Sequence, residues 1–330
     1  MSKLQLSFGC WDYDRVQALI NGTVEVEGID LNFLKMPVEE TFWRMMRHQE
    51  FDVSELSFSS FLIANDRGNP KFTAIPVFMS RMFRHSGIYV NVNSGIREPG
   101  DLKGKRIGIP EYQLSACVWI RGFLQHDYGV AASDVQWLTG GQEQPGRIEK
   151  VKLDLPPEIR IQPIGPEQTL NAMLESGEID AFIAPRAPSC FLNGSPNVQR
   201  LFADYVAVEQ EYFRNHGIFP IMHVVAIRNE VLERHPWIAA NLYDAFVSAK
   251  QKVYDGFRQT AALKVTLPWL VAEIERTKAL MGEDFWPYGL EENRKTLEAF
   301  VTYQYEQGLI KRRPEIEELF AKSTLEKYTL

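Results

Sequence analysis

The sequence predicts an α/β protein of two lobes, each a mixed sheet with flanking helices. Three observations lead there. Short apolar runs alternate with helix-period stretches from residue 4 to residue 130, the order that builds parallel or mixed sheets. One pattern occurs twice, in residues 47–61 (RHQEFDVSELSFSSF) and 175–191 (ESGEIDAFIAPRAPSCF), with Asp52 matching Asp180 and Glu50 matching Glu178. The chain has 330 residues, 45% of them hydrophobic, which suits about two domains with a sizeable core.

The elements follow in order. Residues 4–10 (LQLSFGC) read as a first strand and 12–23 as a helix closed by a turn. Residues 29–36 form a strand, and 37–50 a helix with Pro37 in its first turn and acidic residues near its start. Residues 51–56 (FDVSEL) form a strand that leads into a helix over 59–66, capped by Ser59 or Ser60. Residues 71–79 and 87–92 are further strands, and 104–110 (GKRIGIP) a short buried one. The helix over 114–130 stops at Gly129. Residues 139–158 and 184–197 are rich in proline and glycine and read as loops over a binding face. After residues 217–227 (GIFPIMHVVAI) the pattern turns helical over 236–254, 267–282 and 290–309. The chain thus leaves a first lobe, builds a second, and returns. Lobe 1 is placed at 1–110 plus 222–330 and lobe 2 at 111–221, with strand ends facing a central cleft.

Charge and cysteine usage exclude several classes. Net charge is −7 and pI about 5.5, against a nucleic-acid surface. Cys10, Cys117 and Cys190 are odd in number and far apart, which fits neither a disulfide framework nor a structural zinc site. The N-terminus lacks the apolar core of a signal peptide, and no window approaches a membrane span. The expectation is a soluble cytoplasmic protein without nucleic-acid or membrane partners, and with a homo-oligomer admitted. No GxxxxGK[ST] loop, GxSxG elbow, HExxH or GxGxxG fingerprint is present.

The chemistry-bearing stretches are few. Residues 81–91 (RMFRHSGIYVN) place Arg81, Arg84 and His85 in one turn between apolar runs. Arginine offers paired planar donors for a carboxylate, and histidine transfers protons near neutral pH. Glu111 and Tyr112 lie in the loop before the helix over 114–130, whose free N–H groups and Ser115 hydroxyl suit an anion. Arg186 follows a strand, and His223 lies in a strongly apolar run. Arg121, His216 and a lone His223 also admit structural readings, as salt bridge, loop residue and core residue respectively.

The element order resembles the type II periplasmic-binding-protein fold. Residues 101–113, 173–185 and 222–237 are similar to stretches of substrate-binding proteins of the thiamine-precursor and taurine type. Residues 83–91, 109–130, 219–227 and 286–300 (WPYGLEENRKTLEAF) together resemble the 4,5-dihydroxyphthalate decarboxylase family, over essentially the whole chain. The resemblance implies a carboxy-lyase that converts 4,5-dihydroxyphthalate to 3,4-dihydroxybenzoate and CO2 in phthalate degradation, with no organic cofactor; no local residue pattern marks a metal site. On this reading Arg81 or Arg84, with Arg186, grips carboxylates. His85 or His223 supplies a proton, and Glu111 or Glu55 takes the phenolic proton. Ser57, Ser115 and Tyr112 contact the substrate. The alternative is a solute-binding protein for an aromatic or sulfonated anion.

Overall fold

The computed structural model describes residues 2–68 and 70–325. Among them the chain forms eleven strands: β1 Leu4–Cys10, β2 Ile29–Lys35, β3 Val53–Ser57, β4 Phe72–Arg81, β5 Ile88–Asn91, β6 Arg106–Ile109, β7 Gln136–Thr139, β8 Arg160–Pro163, β9 Ala181–Ile183, β10 Val198–Arg200 and β11 Ile221–Arg228. They fall into two units. The first comprises Met1–Arg81, His223–Leu297 and Pro314–Leu330, and the second Met82–Met222 and Glu298–Arg313.

The first unit holds a five-stranded sheet in the order β2-β1-β3-β11-β4. β1 runs parallel to β2 and β3, and β11 runs antiparallel to β3. The mixed sheet foreseen from the alternation is therefore present. Central β3 is buried along its whole length, and its neighbours carry the core. Phe8 meets Phe33 and Phe246 edge-on at 5.0 and 5.4 Å. Gly9 is required where it stands, because a Cβ there would lie 2.8 Å from the Phe51 ring. The helix after β3 spans Phe58–Asp66, and its cap is Ser57, whose hydroxyl accepts from Ser60 N–H, rather than Ser59 or Ser60.

The second unit holds a six-stranded sheet in the order β10-β5-β9-β6-β7-β8. β6 is parallel to β7 and β9, while β5 is antiparallel to β9 and β10. The helix Ser115–Tyr128 is buried on all sides over its first ten residues, which explains its apolar composition. It ends at Gly129 in the left-handed conformation (φ 66°), as its sequence indicates. Leu170, Leu174, Ile179 and Phe182 form a core behind this sheet.

Two boundaries differ from the sequence reading. Residues 82–110 belong to the second unit because β5 and β6 both pair with β9. Residues 298–313 belong there too, since Gln307 accepts from Arg121 Nε and donates to Val118 O. His216 is not in a loop but closes the helix Tyr205–His216, where it pairs with Asp127 at 3.0 Å.

The repeated pattern has a shared structural cause. Asp52, just before β3, accepts from Ser7 N–H on neighbouring β1 (2.9 Å) and from Arg228 (3.2 Å). Asp180, just before β9, accepts from Arg106 N–H on neighbouring β6 (2.8 Å) and from the Arg106 guanidinium (3.1 Å). In each unit an aspartate pins the start of one strand to its parallel neighbour. Among the described residues, no helix is long and apolar enough to cross a membrane.

Candidate active site

The first unit brings a carboxylate and an imidazole together at the centre of its sheet. In the β3–β11 ladder Ser57 faces His223 and Glu55 faces Val225. Side chains two apart on a strand share a face, so Glu55 and His223 are diagonal neighbours across the pair. His223 Nδ1 lies 2.6 Å from Glu55 Oε1. The turn after β1 closes round the same carboxylate. Tyr13 O–H donates to Oε1 at 2.6 Å, Trp11 N–H donates to Oε2 at 3.0 Å, and the Cys10 thiol lies 3.5 Å from Oε2.

Burial alone pushes the Glu55 carboxyl up. Hydrogen bonds and charge from His223, with the donors Tyr13 and Trp11, outweigh it and hold the group below its ordinary value. An ionised Glu55 accepts only, so His223 Nδ1 carries the proton of that bond and Nε2 is the nitrogen that exchanges one. The Phe42 ring meets the imidazole edge-on at 4.8 Å and fixes its plane. The His223 side chain keeps 16% exposure while Glu55 has none, so this pair combines a buried anchor with a reachable proton carrier.

The second unit holds a different kind of group. Arg84 is 7% exposed, donates from Nη1 to Pro185 O at 3.3 Å, and contacts Met222 Sδ through Nε at 3.4 Å. It forms no ion pair with any described residue. Burial pulls its guanidinium down to about 10, with Cys117 and Glu209 opposing. A buried cation held by carbonyl and sulfur alone is costly until an anion reaches it. Arg186 follows Pro185 and is exposed, so these two arginines are joined through Pro185. Ser115 begins the buried helix, whose cap position is Leu114.

His85 is placed differently from His223. It is 2% exposed and stacked on Phe123 at 4.0 Å, with Phe202 and Tyr212 on other sides. Burial, helped by the charge of His216, lowers its imidazole to about 4, and buried Nδ1 has no hydrogen-bond partner. A neutral ring in an aromatic box is a poor proton donor, and the geometry favours His223 for that role. The folded value lies below the unfolded 6.5, so stability is lost as pH falls from 6.5 through 4. Replacing the ring in His85→Phe keeps the stack and removes the buried nitrogen. That variant is expected to resist acid better, by up to about 3 kcal/mol near pH 4, with turnover retained. Urea denaturation at pH 4.5 and 7 checks this.

The remaining residues named from the sequence are occupied. Glu111 is 1% exposed and pairs with Lys150 Nζ at 2.6 Å and Arg147 Nη2 at 2.7 Å. This ties the 139–158 loop to the end of β6. Glu149 on the same loop takes the Tyr112 N–H, and burial pushes its carboxyl up to about 7. Tyr112 is fully buried beneath the Arg121 guanidinium at 3.8 Å, with its hydroxyl on Gln307 O. Arg81 sits in the first unit on Pro287 O (2.9 Å) and Asn293 Oδ1, where burial lowers its guanidinium to about 9. Ser57 serves as the helix cap described above. Tyr13, Cys10 and Trp11 were not singled out from the sequence; the aromatic-acidic run after β1 was the only signal they gave.

No family model matches the chain. Over 330 residues, 100% of both chains, it is 44% identical to the 4,5-dihydroxyphthalate decarboxylase of Comamonas testosteroni. Over 214 residues, 65% of this chain and 83% of the relative, it is 46% identical to the 4,5-dihydroxyphthalate decarboxylase of Pseudomonas putida. Among solved structures, the periplasmic aliphatic sulphonate binding protein SsuA from Escherichia coli superposes with a TM-score of 0.55 at 14% identity, covering 98% of this chain and 99% of that one. The desulfurization enzyme DSZB gives 0.51 at 14% identity, covering 97% and 96%. At such identity these two likenesses show the fold alone, and that fold is the type II periplasmic-binding-protein-like architecture.

Proposed function

Because the chain belongs to the 4,5-dihydroxyphthalate decarboxylase family, we propose that it removes one carboxylate of 4,5-dihydroxyphthalate as CO2 and releases 3,4-dihydroxybenzoate. Losing CO2 directly would leave an aryl anion whose lone pair lies in the ring plane, where the π system gives no relief. Protonating the carbon that bears the carboxylate avoids this. The hydroxyl para to that carbon gives up its proton to solvent and pushes electrons into the ring, producing a dienone. The C–C bond then breaks, its electron pair restores aromaticity, and the oxygen recovers its proton. One proton is consumed overall, and solvent restores it to the acid.

The observation that carries this reading is the Glu55–His223 pair, with Nδ1 committed to the carboxylate and Nε2 left to deliver the proton. Glu55 orients the imidazole, which differs from the phenolic base considered from the sequence. Since Glu111 is held by two cations and Glu55 by four donors, neither is assigned that base role. Carboxylate recognition is assigned to Arg84, a buried cation that forms no ion pair among the described residues, and to Arg186 beside Pro185. His85 and Tyr112 receive no role in the reaction.

Incubation with 4,5-dihydroxyphthalate tests the proposal. Release of CO2 with 3,4-dihydroxybenzoate supports it, whereas tight binding without product supports a solute-binding protein instead. A second measurement separates recognition from chemistry. Arg84→Met is expected to lower kcat/KM by about 10- to 100-fold, since hydrogen bonds to charged groups contribute about 1.5–3 kcal/mol. The same change removes a buried cation, so the substrate-free variant is expected to melt higher than the parent. A lower melting temperature together with unchanged kcat/KM would make Arg84 structural.

A further inference from the structure

Among the described residues, Tyr13 is the one side chain that shares an oxygen of Glu55 with His223. Its O–H and the His223 Nδ1–H both lie 2.6 Å from Oε1, and its hydroxyl is 3.5 Å from Nδ1. Nothing in the alternation, the repeat or the charged stretches marked it, yet three strands and a turn are arranged to hold it there. Its ring lies 4.1 Å beneath the Arg15 guanidinium, which is also 4.3 Å from the Trp286 ring. Arg15 Nε in turn donates to Met79 O on β4 at 2.8 Å. The stack fixes the ring plane, so the hydroxyl is held on Oε1.

Tyr13 remains a donor under all working conditions. Burial, then the charge and hydrogen bond of Glu55, hold its phenol far above the ordinary tyrosine range. The Cys10 thiol on the other oxygen is likewise pushed well above its ordinary value by burial, so it stays neutral. The groups facing the imidazole are therefore few: Glu55 and Ser57 from β3, Tyr13 from the turn after β1, and the Phe42 ring from the helix Val38–His48. Arg15 is the cation behind Tyr13.

Two donors on one carboxylate oxygen compete for its negative charge. We propose that Tyr13 is a positioning residue for the decarboxylation: by sharing Oε1 it limits how firmly Glu55 holds the imidazolium, so that His223 releases its Nε2 proton to the ring carbon. This inference rests on the function proposed above. Without the phenol, Oε1 serves His223 alone and the imidazolium is held more tightly. Once protonated, a group that holds its proton more tightly gives it up more slowly.

Tyr13→Phe keeps the ring under Arg15 and removes only the hydroxyl, so it tests the sharing directly. Two readouts are taken. In turnover of 4,5-dihydroxyphthalate, kcat at the optimum of its pH profile is expected to fall by about threefold to tenfold, with KM little changed. In substrate-free protein, the 1H resonance of the His223 Nδ1–H is expected further downfield in Tyr13→Phe, where the bond to Oε1 strengthens, and upfield in Glu55→Gln. An unmoved Nδ1–H resonance in Tyr13→Phe overturns the inference, whatever happens to turnover. A moved resonance in a protein that releases no CO2 supports the role of Tyr13 in the pair and instead sinks the proposed reaction.

Discussion

Replacing His223 by glutamine is expected to lower kcat for 4,5-dihydroxyphthalate by about 10²–10⁴-fold, the usual contribution of a positioned acid. Glutamine fills similar space and still bonds Glu55, so the sheet is expected to survive. The effect therefore appears in kcat more than in KM, as for a group that acts in the transition state. Glu55→Gln removes the charge that stabilises the imidazolium and is expected to give a loss in the same direction. The two changes act on one unit, so the double variant is expected to be little worse than the poorer single one. Steady-state rates of the three variants check this. Multiplying losses would mean that the two side chains act independently.

Glu111→Gln is expected to cost about 3–5 kcal/mol of stability, measured by urea denaturation of the second unit's transition. The Glu111 carboxylate receives Lys150 Nζ, Arg147 Nε and the Lys150 N–H, at 2.6, 2.8 and 3.1 Å. An amide at the same place leaves two cations without their counter-charge. Arg147 and Lys150 retain 25% and 14% side-chain exposure, which lets water relieve part of the loss and puts the expectation at the lower end. Per folded molecule, turnover is expected to be retained. A loss of turnover with stability intact would return Glu111 to the chemistry.

The sheet strands that bury continuous apolar runs were readable, and β1, β3, β4 and β11 fall where their sequence places them. Strands β8 and β10 were missed for a physical reason. They are edge strands of four and three residues, with Val198 as their one buried residue, and carry no apolar pattern. The helix Tyr205–His216 was missed because Tyr212 is its only buried residue. The division into units was misjudged at 82–110 because pairing with β9, about 90 residues on, leaves no local mark.

At the site, residue types were readable and partnerships were not. His223 lies 168 residues from Glu55, and Tyr13 lies 42 residues from it. Spacing along the chain says nothing about such pairs. The turn over residues 81–91 looked like one cationic cluster. In the structure Arg81 belongs to the first unit, while Arg84 and His85 belong to the second, in unlike surroundings.

In the proposed reaction His223 adds a proton to the ring carbon from which CO2 departs. Hydrogen exchange on the product tests it without any CO2 chemistry. With 3,4-dihydroxybenzoate in D2O and 1H NMR as the readout, the protein is expected to exchange the ring hydrogen at C6, para to the 3-hydroxyl. The other two ring hydrogens are expected to persist, and His223→Gln is expected to leave all three in place. Equal loss of the C6 signal with the parent protein and with His223→Gln would contradict the account.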